Sequence, residues 1–210
     1  MKRILTVILF PVVSLAAWED HQVFETAMVN ALSNKVELVS TAFTNQLNEF
    51  ISSTTNVNDR ATATLVFSIS AMTLFEESLN DTLYLQSHSL ATNVLSLTGL
   101  ETNSWQWLGA NLLLISRDTM NNKYSSAHTT ATNALQIMKQ TGYTDSTNRV
   151  LKTILNKTYE SPDLTLQQTF SVYAGLSLAV LKSPVEARAF VSDLPLKYRQ
   201  MVEEILAEDP

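Results

Sequence analysis

Residues 88–95 read HSLATNVL, and forty positions further on residues 128–135 read HTTATNAL. Carried outward without gaps, the same register sets Phe67 against Trp107, Met72 against Leu112, Leu74 against Leu114, Tyr84 against Tyr124 and Ala91 against Ala131. A unit of about forty residues made of two helical segments cannot bury its own apolar face, so it stacks against its neighbours as helical hairpins. The repeat therefore constrains architecture before it says anything about chemistry.

The rest of the chain agrees with a helical reading. Glycine occurs four times and proline five, which leaves long stretches free of helix breakers. Phe24, Met28, Leu32, Val36, Val39, Phe43, Leu47 and Phe50 recur every three or four positions, tracing one face of a helix of some thirty residues that Ser33 and Asn34 are able to divide. A polar run at 52–59 follows, with Asn58 or Asp59 as the expected N-cap. Residues 61–79 fit two patterns: Ala63, Leu65, Phe67, Ile69 and Ala71 alternate like a strand, while Leu65, Ile69, Met72 and Leu79 fit a helix. Their repeat partner, 103–120, carries Trp105, Leu108, Leu112 and Ile115 at helical spacing, so both are assigned to helix. The second helices are expected over 83–98 and 122–141, ended by Gly99 and Gly142 as left-handed caps. Beyond the repeat, Thr144 or Asp145 is expected to cap a helix with Val150, Leu151, Ile154 and Leu155. Ser161 and Pro162 are expected to start one running to Lys182. Ser183, Pro184 and Glu186 read as a capping box, and Asp193 and Pro195 open a last helix. The expectation is one all-α domain of eight or nine helices.

Tyr124, Ala127, Ala131, Ala134 and Leu135 keep the spacing of the second helix of a tetratricopeptide repeat, and Tyr84, Ser87, Ala91, Val94 and Leu95 keep it less faithfully. Trp105, Leu108, Gly109 and Leu112 resemble that family's W-x-x-L-G-x-x-Y opening, with leucine in place of tyrosine. The family period is about 34 residues, shorter than the forty found here, and its proline after the second helix is replaced by Gly99 and Gly142. The resemblance spans 61–142. It implies antiparallel hairpins stacked as a short right-handed solenoid, with a concave face of first helices that binds a protein or peptide. Transferred position by position, the groove consists of Val66, Ser70 and Thr73 in one unit and Gln106, Ala110 and Leu113 in the next. Trp105, at the start of its helix, is included as an indole available to a ligand.

Residues 1–16 have a basic start at Lys2 and Arg3, an apolar run over 4–15 and small residues at Ser14 and Ala16. Those are the three parts of a cleaved secretory signal peptide. A mature domain over 17–210 follows, with Trp18 as the alternative first residue. The apolar run is interrupted by Pro11 and falls short of the ~20 residues of a membrane span. With no cysteine in the chain, disulfides, thiol catalysis and thiolate metal sites are excluded. Export without disulfides points to the periplasm or the exterior. After removal of the leader, 12 basic residues face 20 acidic ones, a net charge of −8. Such a charge opposes binding to nucleic acid or to an anionic membrane surface.

The residues able to do chemistry are few. His88 and His128 share one repeat position, and without further ligands they read as packing histidines at a helix interface, not a zinc site. Glu76 with Glu77, and Arg117 with Asp118, read as solvated helix ends. No G-x-S-x-G, H-E-x-x-H, phosphate loop or calcium loop occurs, so no catalytic residue, cofactor or metal is assigned. The leading expectation is an exported helical-repeat scaffold that binds a protein or peptide. A protein that holds a small apolar ligand between its helices is the second reading, and an enzyme with an unrecognised site the third.

Overall fold

A computed structural model of the chain describes Trp18, residues 20–144, 148–158 and 164–208. The expected leader, Asp145, Ser161 and Pro162 lie outside the described residues. Regular structure is all helical, with no strand among the described residues: α1 (His21–Ser33), α2 (Lys35–Leu38), α3 (Thr41–Ser53), α4 (Val57–Ser78), α5 (Asp81–Leu95), α6 (Trp105–Met120), α7 (Tyr124–Thr141), α8 (Arg149–Thr158), α9 (Leu166–Val180), α10 (Pro184–Val191) and α11 (Leu196–Ala207). The ambiguous segment 61–79 is thus helix.

The eleven helices exceed the eight or nine expected, chiefly because the long first helix is interrupted twice. Asn34 leaves the helical region and its side chain accepts from the Val36 amide, while Ser40 does the same for the Phe43 amide. Each break is cheap because the interrupting side chain satisfies an amide that the new helix would leave bare. Several boundaries also move. Asn56, not Asn58 or Asp59, caps α4 by accepting from both of those amides. Helix α5 ends at Leu95, and Gly99 at φ +87° serves the following turn instead of capping the helix. Gly142 at φ +63° does terminate α7, with the Tyr143 amide donating to the Met138 carbonyl at 2.9 Å. Asn148 supplies the side-chain cap of α8 in place of Thr144. A reciprocal Thr165/Gln168 capping box starts α9, whereas Ser183 makes no side-chain cap bond ahead of Pro184.

Helices α4 and α5 run antiparallel, since Ser68 meets Ser87 and Phe75 meets Tyr84. From α4 to α7 each helix packs on the next; α7 then packs on α9, α9 on α10 and α10 on α11. Small side chains make this closeness possible: Ser87, Ala91 and Val94 on α5, and Ala127, Ala131 and Ala134 on α7, are all buried. Trp18, Phe24, Phe43 and Phe50 form an aromatic cluster around α1 and α3, with Trp18 edge-on to the other three rings. Helix α8 joins two cores, placing Val150 and Ile154 in the cluster of α1, α3 and α4, and Leu151 and Leu155 in that of α6, α7 and α9.

Two helical glycines play different parts. A Cβ on Gly175 would lie 2.8 Å from Val191 Cγ1 and 3.2 Å from the Ala187 carbonyl, so α9 and α10 approach as closely as they do because that side chain is missing. A Cβ on Gly109 would meet only Leu65 Cδ1, at an ordinary 3.5 Å. Gly109→Ala is therefore expected to be neutral or stabilising by up to about 1 kcal/mol, whereas Gly175→Ala should cost about 1–3 kcal/mol through overpacking. Urea unfolding of the two variants measures both.

Candidate binding site

The first helices α4 and α6 lie side by side, as Gly109 against Leu65 and Gln106 against Thr62 indicate. Their shared face is covered by the chain itself. Helix α1 runs in the same direction as α4, with His21 beside Asp59 at one end and Leu32 near Ile69 at the other. The turn after α2 is pinned by Ser70 Oγ, which donates to the Leu38 carbonyl at 2.7 Å.

That cover decides the fate of the expected groove. Val66, Ser70 and Ala110 are fully buried, and Gln106 and Leu113 are 7% and 6% exposed. Val66, Ala110 and Leu113 belong to the core shared with α1, α3 and α8. These residues are interior, with α1 laid against α4, and Ser70 borders a recess of about 200 Å³ bounded by α3, α4 and α5. Thr73 and Trp105 remain partly exposed. The two larger recesses lie at the ends of these helices.

The first recess, about 250 Å³, lies at the C-terminal ends of α4 and α6. Leu32, Leu38, Ile69, Met72, Leu113 and Met120 make it apolar, with Thr73, Ser116, Arg117, Lys35 and Glu76 contributing polar atoms. Lys35 Nζ pairs with Glu77 Oε1 at 3.0 Å between α2 and α4. The second, about 420 Å³, lies at the N-terminal ends of α1, α4, α6 and α8 and includes Trp105, Gln106, Glu25, Glu101, His21 and Asn148. Here His21 Nδ1 lies 3.1 Å from Asp59 Oδ1, and Asn148 Nδ2 donates to Glu25 Oε1 at 2.7 Å. Thus the seven predicted positions do not form one surface: Thr73 and Leu113 meet in the first recess, Trp105 and Gln106 in the second. His21, Glu25, Asp59 and Asn148 had no local cue, being brought together across as many as 123 positions of chain.

Arg117 is not a solvated helix end. Only 2% exposed, its Nη2 donates to Ser68 Oγ at 2.7 Å and to Ser87 Oγ. Those serines also donate to each other's carbonyls, at 2.8 and 2.6 Å, and the Asn121 amide group donates to the Arg117 carbonyl. One guanidinium so joins α4, α5 and α6. The sequence reading misplaced it because a helix end is solvated only when no neighbour folds over it. Glu76 and Glu77 are exposed as expected.

The paired histidines part company. His128 packs edge-on against Phe190 at 5.8 Å, with Nδ1 3.4 Å from the Ala174 carbonyl. His88 is exposed; partial burial and then the charge of Arg117 hold its imidazole below the ordinary histidine range. Among the described residues no three histidine or carboxylate side chains converge to hold a metal, and no helix is long and apolar enough to cross a membrane. Compared with known protein families, curated proteins and solved structures, the chain matches none.

Removing Arg117 should separate its two contributions. Arg117→Ala forfeits charge-assisted bonds and leaves a void, for an expected loss of about 2–4 kcal/mol. Arg117→Met fills the space while the serines still satisfy each other, so its loss should be at least about 1 kcal/mol smaller. Denaturant unfolding of both reads the difference. Tyr173, hydrogen-bonded to Ser116, is pushed above the ordinary tyrosine range by burial. A raised folded value means that its contribution is complete below the unfolded phenol's pKa and lost as pH rises through the folded one. Tyr173→Phe should therefore flatten the alkaline limb of the stability profile, measured by unfolding at a series of pH values above about 9.

Proposed function

We propose that this is an exported helical-repeat protein that works by binding a protein or peptide, and that the apolar recess at the ends of α4 and α6 receives an apolar side chain of that partner. The observation that carries the reading is the recess itself: about 250 Å³, open to solvent, apolar at its base, and lined by two residues of the expected site, Thr73 and Leu113. The size suits one or two side chains better than a folded domain, and Met120, 54% exposed, offers a pliable rim. Hairpin stacking in the manner of a tetratricopeptide array is supported by the packing order. Successive helices touch from α4 to α7, and α4 also touches α6, α6 touches α9 and α9 touches α11. The leader-like residues 1–16 support export.

A second reading, a small apolar ligand held between helices, is favoured by Met72 and Met120, whose flexible thioethers adapt to varied shapes.

Selection from a displayed random-peptide library tests the first reading. Recovered peptides should share a leucine, methionine or phenylalanine anchor. Their affinity should fall about tenfold or more in Met120→Glu and Thr73→Glu, because burying one such anchor is worth about 1.5–3 kcal/mol. Peptides that bind both variants unchanged would refute the site. Should the selection give none while aliphatic alcohols displace a fluorescent apolar dye from the wild type but not from the variants, the second reading replaces the first.

A further inference from the structure

The polar recess is chemically unlike the apolar one and calls for a different ligand. Two carboxylates line it, Glu25 from α1 and Glu101 from the loop before α6, and a third, Asp59, lies behind His21. Among the described residues no lysine or arginine lines it. One oxygen of Glu25 accepts from Asn148. Deeper in, Gln106 is more than nine-tenths buried: its amide nitrogen donates weakly to the Asn58 carbonyl and the Thr62 hydroxyl, at 3.4 and 3.3 Å. Among the described residues no donor is recorded to its Oε1, and the side chain lines the recess. The half-buried indole of Trp105 forms part of the wall.

Such a wall carries net negative charge, an aromatic ring and neutral amide and hydroxyl groups, with no fixed cation among the described residues. Its complement is a donor-rich cation with an apolar stem. The acids do not converge as metal ligands, since no trio of them comes together among the described residues. An anion would be repelled. The net charge of −8 without the leader adds a long-range attraction of the same sign. We propose that this recess binds an alkylammonium group, its charge held by Glu25 and Glu101, an N–H donated to Gln106 Oε1, and its methylenes laid along Trp105. A linear diamine and a lysine side chain both carry this ammonium chemistry, and the titration arms below distinguish them.

Calorimetric titration of the wild-type protein with putrescine at low salt tests the inference, with Nα-acetyl-lysine amide, glucose and malonate as further arms. Expected is saturable putrescine binding that weakens on adding salt. Affinity should fall about tenfold in Glu25→Gln with Glu101→Gln, the two exposed or half-exposed carboxylates together being worth about 1.4 kcal/mol. Gln106→Leu should lower it further, and Trp105 emission should shift on binding. Glutamine keeps the size of Glu25 and its bond from Asn148, so unchanged urea midpoints verify that the double variant is folded. Lysine amide binding as tightly as putrescine, with the same loss in the variants, would transfer the site to a lysine-bearing peptide and retain the ammonium chemistry. No saturation by either amine below about 10 mM, equal affinity for glucose or malonate, or undiminished affinity in the double variant would overturn it. None of these readouts involves Thr73 or Met120, so failure here leaves the apolar recess untouched.

Discussion

Helix α4 is buried on nearly every side from Ala61 to Ala71, with Phe67 alone left half-buried, and the arrangement of the other helices follows from that burial. A helix covered all round needs small side chains and has to satisfy its own polar groups. Both needs are met in its sequence. Thr62 and Thr64 return their hydroxyls to the carbonyls of Asn58 and Arg60. Ser68 bonds to α5 and to Arg117 of α6, and Ser70 bonds to the turn after α2. The two serine hydroxyls thereby commit flanks of α4 to particular neighbours.

The covering of α4 also governs where the larger recesses lie. With α1 laid along it and α8 against α1, the face common to α4 and α6 becomes interior, and its side chains serve packing. The two larger recesses lie at its ends, and a smaller one of about 200 Å³ lies along its middle, bounded by α3 and α5. Because α1, α4 and α6 run the same way, their C-terminal ends gather leucine and methionine, and their N-terminal ends gather Glu25, Asn58, Trp105 and Gln106. Two recesses of opposite chemical character result from one piece of packing, which is why an apolar side chain and an organic cation are assigned to different ends.

The repeat was informative about burial and misleading about environment. Ser87 and Ala127, Ala91 and Ala131, and Val94 and Ala134 are buried alike, as the copied register predicts. Yet His128 lies between α9 and α10 while His88 is exposed near Arg117. Equivalent positions share a helix face but not a neighbour, and the neighbour sets what a polar group experiences. The same distinction separates Gly99 from Gly142: only the second follows directly on the last turn of its helix.

From the residues alone came the helical class, the extent of α4, α6 and α7 to within a few positions, and the buried small-residue stripes, because three- and four-residue periodicity and capping are properties of neighbouring positions in the chain. The double break at Asn34 and Ser40 was half visible: Ser33 and Asn34 offered a polar pair able to cap a new helix, whereas Ser40 stands beside Val39 in an apolar spacing that runs on through both breaks. The burial of Arg117, the closing of the expected groove and the meeting of Glu25 with Asn148 belong to the tertiary structure. Each depends on which helix is laid over which, a choice made by the summed burial of many apolar side chains and written in no single stretch of sequence.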